Sequence, residues 1–209
     1  MSITIDHDYT LDFSNYKYFY SKLLRSPTGA PPHIDYWADA GGCLISRLMH
    51  GLIMMNKIYK SDKPVKLSAK GGMRLVAWEQ ENEETCVNFS RLIGFSEGIK
   101  FKLLVAITPG ALACSTILTG SAVGTGLLIF ESSGRATEGD YSSFPHDRLI
   151  AWSRSSVFEF VSEVELLDCY FSSTHLKPTN GAKFVIDSDT GVKGKSFSFP
   201  NLLKKIYFP

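Results

Sequence analysis

Apolar residues recur at Leu44, Ile45, Leu48, Met49, Leu52, Ile53 and Ile58. That 3.6-residue period predicts an amphipathic helix from Cys43 to about Tyr59, ahead of Pro64. Tyr16, Phe19, Tyr20, Leu23 and Leu24 predict a shorter packed helix over 15–25, and a third short helix is expected over 86–95. Elsewhere the pattern alternates. Ile3, Ile5, Tyr9, Leu11 and Phe13 suggest a strand or extended arm, and 65–80 fits a hairpin or a strand and helix start around Gly71-Gly72. Glu79 to Glu84 reads as a solvated acidic face. From Lys100 onward strands are expected at 100–108, 115–119, 125–131 and 148–153, with one or two more between Val157 and Ser173. Pro178-Thr179-Asn180-Gly181 is a hairpin turn signal, followed by a returning strand over Ala182 to Asp187. Phe197 to Tyr207 would add a terminal strand and a short apolar helix. Three prolines and a glycine, or a run of glycine and serine, make loops of 26–32 and 132–145, the second long enough to cover a cleft. Helices and antiparallel strands in one chain predict an α+β fold, a single domain over 1–209.

Composition narrows the class. With 209 residues, 44% hydrophobic, 21% charged and a net charge of +1, the chain has the make-up of an ordinary globular protein. It carries no basic stripe for nucleic acid. Cys43, Cys86, Cys114 and Cys169 are widely spaced and form no Cys-x-x-Cys pair. They read as reduced thiols rather than a zinc ribbon or a disulfide framework. His7, His33 and His50 lack metal-ligand spacing, and Gly120, Gly124 and Gly126 lack the context of a phosphate loop, so neither metal nor cofactor is expected. Asp6, Asp8 and Asp12 stand where a signal peptide would be basic then apolar. Synthesis in the cytoplasm is expected, and a specialised secretion route is compatible with it. Leu103 to Phe130 has no charged residue and is long enough to span a bilayer, but Pro109 and several glycines divide it into pieces better explained as buried strands.

Candidate chemistry centres on Cys43. The Gly41-Gly42 pair delivers it to the expected helix start, off the apolar stripe, where free N–H groups and the dipole favour a thiolate. Folding the later hairpin about Asn180-Gly181 sets residue 175 opposite 186 and 174 opposite 187. His175 and Asp187 then become cross-strand neighbours within reach of each other. A catalytic set follows: Cys43 as nucleophile, His175 as base, Asp187 fixing the imidazole tautomer.

Two segments resemble a known family. Asp187-Ser188-Asp189-Thr190-Gly191 after an apolar run resembles the Asp-Pro-Asn-x-Gly turn of YopT/AvrPphB-type cysteine proteases, and Gly42-Cys43-x-x-Ser46-x-Leu48 is similar to their glycine–cysteine helix start. Asp-Ser-Asp replaces Asp-Pro-Asn, and Leu-Lys-Pro follows His175 where small and apolar residues alternate in the family. The resemblance implies a papain-like fold and a bacterial effector that cleaves, deamidates or transfers an amide of a protein or peptide. A second resemblance, to type VI secretion amidases, rests on Gly42-Cys43, Arg47, the Gly126–Phe130 run and His146-x-x-Leu149-x-x-Trp152. It implies peptidoglycan cleavage with His146 as base. The alternative from another class is a non-enzymatic interaction or membrane-perturbing protein, in which Cys43 is packing and Leu103 to Phe130 is the active element.

Overall fold

The structure is a computed structural model and describes residues 2–22, 33–35, 38–41, 52, 54–60, 64–69, 71–105, 118–133, 136–138, 143–161, 175–179 and 181–187. These run as strands β1 (Ser2–Asp6), β2 (Asp8–Leu11), β3 (Tyr18–Ser21), β4 (His33–Asp35), β5 (Met55–Tyr59), β6 (Val65–Ser68), β7 (Arg74–Val87) and β8 (Leu92–Ser96). They continue as β9 (Ile99–Val105), β10 (Leu118–Ser132), β11 (Ala136–Glu138), β12 (Phe144–Pro145), β13 (Leu149–Ser153), β14 (Phe158–Phe160), β15 (His175–Pro178) and β16 (Phe184–Asp187). A single 3-10 turn at His146–Arg148 is the one helical element among the described residues.

Among the described residues the expected α+β, papain-like architecture is therefore replaced by an almost entirely antiparallel β fold. Eleven strands form one sheet, a path β11-β16-β13-β7-β10-β8-β3-β5-β4 with β1 added on β7 and β9 on β10. β12, β15 and β14 make a second sheet, β2 and β6 a third. The frame is the long β7–β10 pair, Ser132 opposite Arg74 at one end and Gly120 opposite Val87 at the other.

Both faces of the large sheet are covered, which explains why helical periods misled. On one face Tyr20, Trp78, Phe95, Phe130, Ile150 and Val185 gather into a core drawn from strands across the sheet. On the other, Leu11, Val65 and Leu67 of the β2–β6 pair pack onto Phe19, Leu75, Ala77, Leu127 and Ile129. A strand buried on both sides has no polar face, so its apolar run fits a helical period as well as an extended one. Tyr18-Phe19-Tyr20 is such a case: Phe19 enters one core and Tyr20 the other, in a strand paired with β5 and β8. The end of the expected cysteine helix is β5, and 86–95 is the end of β7 and the start of β8. Cys43 itself lies outside the described residues.

The acidic run Glu79–Glu84, expected as a solvated face, is part of a strand. It sits in the distal half of β7, where Glu81 and Asn82 face the single Thr125 and form a bulge between Gly124 and Gly126. Asn82 adopts a left-handed φ of 51°, its N–H donates to Thr125 Oγ1 at 3.2 Å, and Gln80 Nε2 donates to Gly124 O at 3.0 Å. An extra residue of this kind bends and twists a long ribbon. From Leu103 to Phe130 the described parts are β9 and β10, and no helix among the described residues is long and apolar enough to cross a membrane.

Candidate functional site

The expected base and its orienting acid are not brought together as a cross-strand pair. The turn forms, with Ala182 N–H donating to Thr179 O at 3.1 Å and Gly181 at a φ of 82°, but the strands it joins enter different sheets. His175 is opposite Pro145 on β12 and is exposed; Asp187 is opposite Ala136 on β11 and is buried. The physical reason is that each strand has better neighbours than the other. Leu176 packs with Phe144 and Phe184, while Val185 completes the main core. His146, the alternative base, opens the 3-10 turn.

Asp187 has a different task. Its Oδ2 lies 3.2 Å from Arg91 Nη1 and accepts from Ser133 N at 2.8 Å and Ser133 Oγ at 2.6 Å. Both charged side chains are almost fully buried. This pair ties the β7–β8 turn, where Arg91 N–H donates to Asn88 O, to β16 at the other side of the sheet. A lone arginine between the apolar stretches Cys86-Val87 and Leu92-Ile93 was the available signal for it.

Three other places carry chemistry. First, Cys86 is buried on β7, and burial followed by the nearby Glu84 charge pushes its thiol up to about 11. Second, burial pulls the Lys22 ammonium down to about 8; its Nζ donates to Phe89 O at 3.3 Å. Third, an open groove of about 480 Å³ is lined by Glu83, Glu84, Ser153, Arg154, Ser155 and Lys183. Among the described residues no three His, Cys, Asp or Glu side chains are grouped to hold a metal ion.

The β3–β5–β4 end of the large sheet has a distinct surface. Lys57 Nζ sits 4.0 Å from the Tyr18 ring centroid and 5.5 Å from those of Tyr20 and Tyr59, with Asp35 Oδ2 at 3.7 Å. Tyr20 OH donates to Asp35 at 3.4 Å and accepts from Asp39 N at 3.1 Å. Register explains the grouping, since Lys57 is opposite Tyr20 and Tyr59 opposite Tyr18, which puts all four on one face. Exposed apolar side chains accompany this cluster: Ile34 is 43% exposed, Met54 62% and Tyr59, itself a member of the cluster, 53%. The remaining large exposed apolar residues among those described, Val157 and Val161, flank β14, itself the last strand of its sheet.

No protein-family model and no curated protein matches the sequence. Among solved structures the chain is similar to protein SPYM3_0169 from Streptococcus pyogenes, with a TM-score of 0.54 and 15% identity over 98% of this chain and 99% of that one. At that identity the likeness concerns the fold alone.

Proposed function

We propose that this chain is a non-enzymatic binding protein that takes up an extended segment of a partner protein along the outer side of β4. The observation that carries this reading is the number of exposed apolar side chains on one part of the sheet: Ile34 on β4, Met54 just before β5 and Tyr59 at the end of β5 all belong to the last two strands of the large sheet among the described residues. Isolated exposed apolar residues are common, but three of them on the two outermost strands offer an extended partner apolar contacts on either face of the edge. A strand added there gains main-chain hydrogen bonds, and the flanking side chains supply selectivity. The tyrosine–lysine cluster supports the reading by holding β3, β4 and β5 in one rigid unit before any partner arrives.

Panning a random peptide display library on the purified protein tests it. Selected peptides are expected to alternate apolar and polar residues, and to lose roughly tenfold or more in affinity for Ile34→Glu and Tyr59→Ser variants that melt like the parent. Peptides whose binding ignores both substitutions overturn the assignment of this surface.

Thiol reactivity separates this reading from a cysteine hydrolase. At pH 7.5 Cys86 is expected to resist iodoacetamide, because its thiol ionises only as pH approaches about 11. Cys43 is expected to label no faster than N-acetylcysteine. Labelling of Cys43 many times faster, in a native protein, would favour a nucleophilic site and sink the non-enzymatic reading. The raised Cys86 value also has a sign in stability. The folded state keeps its proton where the unfolded thiol loses it, so this contribution is present below the ordinary thiol value of 9.0 and lost as pH rises towards about 11.

A further inference from the structure

The groove between β7, β13 and the start of β16 stands apart from the β4 surface, four or more strands away along the sheet path. We propose that it binds a short dipolar peptide carrying a free amino group and a free carboxylate.

Most of the polar groups around the groove are already committed. Glu84 is engaged twice: Arg154 Nη1 lies 2.6 Å from its Oε2 and Ser121 Oγ donates to its Oε1 at 2.5 Å. The Arg154 N–H also donates to Glu84 O at 2.9 Å, so β13 and β7 are clamped side by side through both backbone and side chain. Ser153 N–H donates to Lys183 O at 2.9 Å, and Ser156 Oγ both donates to Lys183 O and accepts from Lys183 N at 2.9 Å. The backbone at Lys183 is thereby fixed against β13. These contacts make a groove with a set shape rather than a crease between loose side chains.

Two charges are left over. The Glu83 carboxylate and the Lys183 ammonium line the same space, and among the described residues neither side chain has an ion pair or a hydrogen bond. The strand order β16-β13-β7 sets them on either side of β13, and no ion pair joins them. Ser153 and Ser155, whose hydroxyls lie 2.8 Å apart, add donors and acceptors between them. A ligand complementary to this order presents a cation to Glu83, amides to the serines and an anion to Lys183, which is the charge order of a peptide free at both ends. At about 480 Å³ the space falls within the range of roughly 300–1,000 Å³ typical of small-ligand sites.

Triglycine, followed by amide chemical shifts of the full chain, is the probe. Saturable shifts are expected at Glu83–Glu84, Ser153–Ser155 and Lys183, with triglycine blocked as its N-acetyl amide at least about tenfold weaker. Glu83→Lys alone should abolish binding by repelling the amino group. Adding Lys183→Glu to that variant should restore it with the peptide reversed, an outcome that a misfolded protein cannot give. Absence of saturable shifts with triglycine, equal affinity for the blocked peptide, or no recovery in the charge-swapped variant each overturns the proposal.

Discussion

Asp187→Ala is expected to destabilise the fold by about 3–5 kcal/mol, seen as a large fall in the urea midpoint with an unchanged slope. The magnitude follows from what the substitution leaves behind rather than from the net worth of the ion pair. Arg91 would remain with its side chain 9% exposed, deprived of the carboxylate 3.2 Å away, and Ser133 would lose the acceptor of both its N–H and its hydroxyl. Removing one member of a buried pair is costly because the surviving charge cannot recover its hydration. The double variant Arg91→Met with Asp187→Leu should recover most of the loss, since two apolar groups of similar bulk leave no charge to satisfy. His175→Ala, at an exposed position on β15, should stay within about 0.5 kcal/mol of the parent. If Asp187→Ala were as mild as His175→Ala, the structural role assigned to the Arg91–Asp187 pair would be wrong.

That contrast shows how far the sequence could be read. Asp187 was a conspicuous carboxylate, ending an apolar run where a strand should stop, and it is indeed an unusual residue: fully buried and charged. Its partner was not legible, because Arg91 lies far off in sequence and meets it only when β7, β13 and β16 lie side by side. The same holds for the fold. Strands β9, β10 and β13 fall close to the stretches where branched and aromatic residues suggested them, and the turn after Thr179 forms as its residues require. Those are local preferences. β3 and β5 were mistaken for helix because burial on both faces erases the alternation that marks a strand. β7 was cut in two by its own acidic run, whose polar residues belong to an exposed stretch in the middle of the strand and to its bulge. Which strand pairs with which is a long-range matter, and β7 alone pairs with β1, β10 and β13.

The groove shows the limit most plainly. Glu83, Ser153 and Lys183 belong to no motif, and three separate strands are needed to bring them to one place. The Tyr18–Lys57–Tyr59 cluster differs only in degree. Tyr18 lies in a visibly aromatic stretch, but Tyr59 and the cation arrive by cross-strand register. Chemistry that depends on pairing between distant strands leaves little trace in spacing.

Gly124→Ala is expected to destabilise the protein by about 2–4 kcal/mol, a drop of roughly 5–15 °C in melting temperature for a chain of this size. Two effects add. Gly124 has a φ of 118°, a region that side-chain-bearing residues rarely adopt, and an added Cβ would collide with the Gly98 carbonyl oxygen of the β8–β9 turn. Neither partner can yield cheaply. Gly124 is paired with Glu83 on one side and Ile99 on the other, and its carbonyl accepts the Gln80 amide that closes the bulge. Gly72 provides the comparison, since nothing lies within 4 Å of a Cβ placed there and its φ is unexceptional. Gly72→Ala should therefore be neutral, or stabilising by up to about 1 kcal/mol through the unfolded chain. The pair distinguishes a true close approach of β10 to the β8–β9 turn from a general cost of altering glycine. A Gly124→Ala protein melting within about 2 °C of the parent would mean that the bend in the β7–β10 ribbon does not press β10 against that turn.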